Sequence, residues 1–157
     1  MKICVIPLLF IGGLAQAADN LKFHGTLVMP PTCTISNDET IEVDFDAVLI
    51  DRIDGRNYLQ EVPYTITCDS TVRDDAMSMT LTLTGAQSSF DTAAVNTNVS
   101  GLGVQFQQSG KPFVVGSTIT INEQSKPVLK AVPVKQNGAE LCEQAFEAWA
   151  TLQVSYL

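Results

Sequence analysis

Apolar residues recur at every second position over long stretches of this chain. Leu21, Phe23, Gly25, Leu27 and Met29 share one face of an extended segment. Phe146, Ala148, Ala150, Leu152, Val154 and Tyr156 share one face of another, which ends a residue before Leu157. A period of two marks a β-strand with one buried face. The same alternation predicts a strand through Ile41, Val43 and Phe45, set against Glu42, Asp44 and Asp46. It predicts another through Val62, Tyr64, Ile66 and Cys68, and a third through Met77, Met79, Leu81 and Leu83. Shorter strands are expected over 104–106, 113–115, 119–121 and 128–134. Gly, Pro, Asn, Asp and Ser punctuate these runs at Asp54-Gly55, Gly101-Leu102-Gly103, Ser109-Gly110, Gly116-Ser117 and Asn137-Gly138. Residues 140–149 can be read as a helix, but the alternation that continues to Tyr156 favours a strand. Many short strands in one small domain predict an all-β antiparallel β-sandwich. Such a protein, beginning and ending on long apolar strands, must hide two sheet edges or use them for assembly. Use is the expectation here.

The N-terminus reads as a secretory signal: Met1-Lys2, an apolar run from Ile3 to Leu14, then Ala15-Gln16-Ala17 for cleavage. Removal of residues 1–17 leaves about 140 residues, the size of one domain with a single core. Within them, Pro30-Pro31 is the one evident joint, because two prolines cannot donate to a sheet ladder. The expected organisation is therefore a signal peptide over 1–17, an arm over 18–31 and a domain over 32–157.

Composition removes several classes of function. A net charge of −8 argues against nucleic acid, whose phosphates need clustered Lys and Arg. No GxSxG, HExxH or Gly-rich phosphate loop occurs, so no catalytic residue, cofactor or small-molecule substrate is assigned. The single histidine, His24, lies in the arm without a catalytic partner. Asp51, Arg52, Asp54 and Arg56 surround Gly55 as a solvated turn of mixed charge. Glu42, Asp44 and Asp46 stand about 7 Å apart at strand spacing, too wide to share one calcium ion without other ligands. Asn98-Val99-Ser100 matches the acceptor pattern for N-glycosylation.

Cys4 leaves with the signal, so Cys33, Cys68 and Cys142 remain in an oxidising compartment and one pair should be bridged. Of three pairings, Cys33–Cys68 is preferred because it staples neighbouring strands, worth roughly 3–4 kcal/mol for a loop of that length. Zinc would need closer spacing than these cysteines and His24 offer, so no metal is assigned. Trp149 falls on the face opposite Phe146 and Ala148; packing under a loop is the expected reading. An outward Trp149 or Asn57-Tyr58 as a sugar platform, in an exported carbohydrate-binding module, is the rival.

The series Phe23-x-Gly25-x-Leu27, Pro31-Thr32-Cys33-Thr34-Ile35, Ile41-x-Val43-x-Phe45, Tyr64-x-Ile66-x-Cys68 and a C-terminal alternation with Tyr156 in the penultimate place covers nearly all of the chain after the signal. In that order, it resembles the subunits of chaperone–usher pili. The resemblance implies an immunoglobulin-like sandwich lacking its final strand, completed by a donor strand from a neighbour. It implies that Leu21, Phe23, Gly25, Leu27 and Met29 form the donor strand. It further implies that Phe146, Ala148, Ala150, Leu152, Val154 and Tyr156 line the groove and bind the chaperone, whose basic residues hold the carboxylate of Leu157. The implied partners are a periplasmic chaperone, an outer-membrane usher and neighbouring subunits, a tip adhesin among them. Passage through the periplasm to a surface fimbrium follows. The chain is too short for a two-domain adhesin, and 30–35 with 41–68 resemble minor tip-fibrillum or adaptor subunits more than rod subunits. A major rod pilin is the alternative.

Overall fold

The computed structural model describes residues 21–69, 78–122 and 125–156. The signal sequence, Ala18 to Asn20, Met77 and Leu157 lie outside them. Ten strands pair throughout in antiparallel fashion, and no α-helix occurs among the described residues. β1 (Cys33–Ile35) pairs with β3 (Ile66–Cys68). A second sheet runs in the order β10 (Ala150–Tyr156), β4 (Met79–Gly85), β8 (Thr118–Ile121). The third runs β2 (Gln60–Glu61), β9 (Leu129–Lys135), β6 (Leu102–Gln108), β5 (Ala94–Asn96), with β7 (Lys111–Pro112) also on β6.

The alternation read in the sequence explains the layering. Leu81 and Leu83 project from β4 to the same side, while Thr82 and Thr84 face away; the Thr82 and Thr118 hydroxyls pair across β4 and β8 at 2.8 Å. Against the two leucines pack Val95, Val104, Phe106, Leu129 and Ala131 of the larger sheet. Leu81, Leu83 and Leu129 are fully buried, each worth roughly 1.5–3 kcal/mol relative to exposure. Ala94, Val132 and Val134 form a second, smaller cluster with Phe90. At the β5–β6 end the chain turns through Gly101, whose φ of +80° and whose 2.6 Å approach to Ala139 leave no room for a Cβ.

Proline decides where two predicted strands change course. The run 62–68 is not one strand: Val62 N–H still bonds to Leu129 in the large sheet, but Pro63 has no N–H to continue. The chain then crosses to pair β3 with β1. Pro133 sits in β9 past the two residues that pair with β2, where the strand has only β6 beside it. The expected strand at 113–115 also shifts, since pairing falls on Lys111 and Pro112 and only Phe113 N–H extends it. Cys33 and Cys68 face each other across β1 and β3 and form the disulfide; Cys142 is free and exposed.

Tyr64 anchors the crossing. Its ring is buried, its hydroxyl donates to the Pro127 carbonyl, and the Lys126 ammonium lies 4.6 Å from the ring centre. Burial pushes the phenol up from 10.0 to about 12. Tyr64→Phe should therefore lower stability by roughly 1–2 kcal/mol in urea unfolding, since it leaves the Pro127 carbonyl without its donor. The substitution should also change the alkaline limb. Between pH 10 and about 12 the unfolded tyrosine has released its proton while the folded one keeps it, so stability falls as pH rises through that window. Denaturant titrations over that range should show a shallower loss for Tyr64→Phe than for the parent.

Candidate functional site: an open strand position

The core is not closed on one side. β10 is the edge strand of its sheet, bonded to β4 over Ala150–Tyr156, and no ladder runs along its other edge among the described residues. Facing it, segment 41–48 runs with alternating side chains to Phe45, turns at Asp46 (φ +52°), and pairs with no strand among the described residues. The expected strand at 41–45 is thus present in direction and absent in pairing. Ile41, Val43 and Phe45 turn half-buried toward the core, while Glu42, Asp44 and Asp46 face solvent. Alternation reports which way side chains face; a ladder needs a neighbour.

Between these two walls lies a groove of about 1400 Å³. Its floor is the apolar inner face of the larger sheet, including Val95, Val104, Phe106 and Ala131. Of the expected groove residues, Phe146, Ala148, Ala150, Leu152 and Val154 line it; Tyr156 packs half-buried against the same core. The rings of Phe45 and Phe146 stack between the walls with centroids 6.1 Å apart, and β1 packs beside β10. Phe146, Ala148 and Leu152 on one wall and Ile41, Val43 and Phe45 on the other stay half-buried because the space between them is open.

The wall at 145–149 has a support that sequence reasoning missed. Asn98 Nδ2 donates to the Ala145 carbonyl at 3.3 Å, Glu147 N–H donates to Asn98 Oδ1 at 2.7 Å, and Asn98 N–H donates to the Glu147 carbonyl at 3.2 Å. With the Thr97–Ala148 bridge, these bonds tie the wall to the end of β5. The glycosylation-like asparagine is thus engaged in holding the groove's rim. Trp149, expected to pack, is instead 72% exposed at that rim.

Residues 21–29 make no ladder, and their apolar face lies in solvent: Phe23 is 84% and Leu27 102% exposed, and no atom lies within 4 Å of a Cβ built on Gly25. The alternation predicts a buried face, and within one chain nothing buries it. Behind the arm, Pro31 is buried and Thr32 exchanges bonds with Asp69, fixing the joint to the disulfide-linked strands.

The remaining candidates are local structure. Asp54 Oδ1 accepts from the N–H groups of Arg56 and Asn57, which hold its carboxyl below the usual range; Asn57 closes the turn on the Arg52 carbonyl. Asp46 N–H bonds to Asp44 Oδ1. Among the described residues, no three His, Cys, Asp or Glu side chains gather as metal ligands.

Comparison with known proteins agrees with this geometry. The chain is 48% identical over 147 residues to the uncharacterized fimbrial-like protein YfcQ of Escherichia coli strain K12, covering 91% of each. It is 36% identical to the fimbrial-like protein YfcR of the same strain, over 81% of this chain and 74% of that one. The fold is similar to that of the P pilus rod subunit PapA (TM-score 0.63, 24% identity, 87% of this chain and 99% of that one). It is similar also to that of the P pilus adaptor subunit PapF (TM-score 0.58, 21% identity, 82% and 98%). These likenesses identify the sandwich as an immunoglobulin-like pilin fold. A protein-family model described as fimbrial protein matches residues 21–157, and the chain belongs to that family of non-enzymatic structural subunits.

Proposed function

We propose that this protein is a structural subunit of a chaperone–usher fimbria, joined to its neighbours by donor-strand exchange. Residues 1–17 direct export, a periplasmic chaperone first occupies the groove, and an outer-membrane usher passes the subunit to the growing surface fibre. Leu21, Phe23, Leu27 and Met29, with Gly25 between them, then enter the groove of the adjacent subunit. Phe146, Ala148, Ala150, Leu152, Val154 and Tyr156 receive the arm of the other neighbour. Within the organelle we assign it to a minor position in the tip fibrillum or as an adaptor, on the resemblance of 30–35 and 41–68, with the major rod as the alternative.

The observation that carries this reading is a pair of unsatisfied surfaces in one chain: an apolar arm in solvent and an open groove with an apolar floor. The arm cannot serve its own groove in the favoured antiparallel sense. Running antiparallel to β10, Met29 would lie at the Phe45–Phe146 end, whereas Cys33 begins β1 beside β10. Residues 30–32 reach roughly 10 Å when extended, against about 30 Å of groove wall over 146–156. On this reading the donor comes from another molecule.

Burial of four such side chains contributes roughly 5–12 kcal/mol before ordering costs. Adding a peptide of residues 20–30 to the purified chain should raise its urea midpoint and shift Trp149 emission to the blue as the rim is covered. The same peptide carrying Phe23→Asp and Leu27→Asp should do neither. A chain whose stability and emission ignore both peptides has no acceptor site, and an exported binding module would replace this reading.

A further inference from the structure

The groove carries a charge pattern that its apolar lining does not require. Among the residues around it are seven carboxylates and no Lys, Arg or His. Glu42, Asp44 and Asp46 stand outward on one wall, and Glu143 and Glu147 are exposed on the other. The arm has the opposite character. Between residues 20 and 37 there is no Asp or Glu, and Lys22 and His24 alternate with the apolar face. When Leu21, Phe23, Leu27 and Met29 point into a groove, Lys22, His24 and Thr26 must point out of it. They then stand on the same face as the outward carboxylates of both flanking segments, within the reach of cross-strand pairs.

From this we propose that the groove is matched to the arm of a second copy of this same chain, with Lys22 and His24 held between the acidic walls. The inference rests on the groove being a donor-strand acceptor and goes further by naming the donor. Length supports it: nine residues from Leu21 to Met29 extend to about 30 Å, close to the extent of the receiving wall. Charge supports it against the general background, since two molecules of net charge −8 repel one another. Lys22 brings a full positive charge into the carboxylate rim, and the His24 imidazole has an N–H to donate to it in either protonation state. An arm carrying acids at these positions would set carboxylate beside carboxylate, which is destabilising across a strand pair. The apolar face supplies affinity; the outward face selects partner and register. The consequence is that copies follow one another in the fibre, so that even a minor segment contains them in series.

Charge exchange on the full mature chain tests this. One variant carries Lys22→Glu and His24→Glu; the other carries Glu42→Lys and Asp44→Lys, all at exposed positions. Each variant alone should assemble roughly tenfold more slowly than the parent at low salt, with the difference shrinking at high salt. An equimolar mixture should recover, because every arm then meets a groove of opposite charge. Assembly is read by light scattering and size exclusion, and a parent carrying Leu27→Asp serves as control. Variants that assemble like the parent, or a mixture that fails to recover, overturn the homotypic match. A parent that does not self-assemble, yet is stabilised by an apolar strand peptide lacking Lys22 and His24, makes the occupant a different partner and leaves the donor-strand reading standing. A chain that responds to no strand at all removes both.

Discussion

Everything distinctive in this molecule follows from one unfilled strand position between β10 and segment 41–48. A β-sandwich gains most of its stability when two sheets cover each other and every interior strand has two neighbours. Among the described residues, β10 has one strand partner and segment 41–48 has none. Ile41, Val43, Phe45, Phe146 and Leu152 pack on the core yet remain half-exposed, so the protein carries a deficit of both hydrogen bonds and apolar contact along one line. The arm carries the complementary excess. On the donor-strand reading proposed above, the two surfaces meet between molecules.

The rest of the fold holds that gap in shape. The Cys33–Cys68 disulfide ties β1 to β3, and the Thr32–Asp69 bonds carry the same clamp to the root of the arm. Tyr64, held by Pro127, pins the crossing between sheets. On the other wall, Asn98 fastens 145–147, so the groove's lip is set by a hydrogen-bonded support within the chain. A rigid, pre-formed groove spends less ordering entropy when a strand enters than a collapsed one would.

The sequence carried the sandwich class, β4, β9, β10 and the disulfide because each depends on a local period or on neighbouring strands. It misled where pairing, not facing, was decisive. The run through Ile41, Val43 and Phe45 has the period of a strand but no neighbour, and Pro63 divides a run that otherwise alternates cleanly. β5 was invisible: Ala93, Ala94 and Val95 are all buried, on both faces of their sheet, so no alternation marks them. Trp149 is large and apolar, and its size gives no sign that it stands exposed at the rim. The groove residues of the C-terminal segment were legible because their period continues through 146–156; the role of Asn98 was not, since it depends on a contact some fifty residues away.

An exposed apolar arm beside an open sheet edge is an aggregation hazard, and edges are ordinarily blunted by charge or proline. This chain places both devices where they do not block its own joint. Pro30 and Pro31 stop the arm from extending the ladder of β1, and the carboxylates at 42, 44 and 46 face outward, leaving the apolar floor clear. In the pairing proposed above, charge on the rim repels another acidic groove or an unfolded acidic segment, while an arm that is apolar inside and basic outside is admitted. Protection against wrong partners and selection of the right one are then the same physical feature, read in opposite signs.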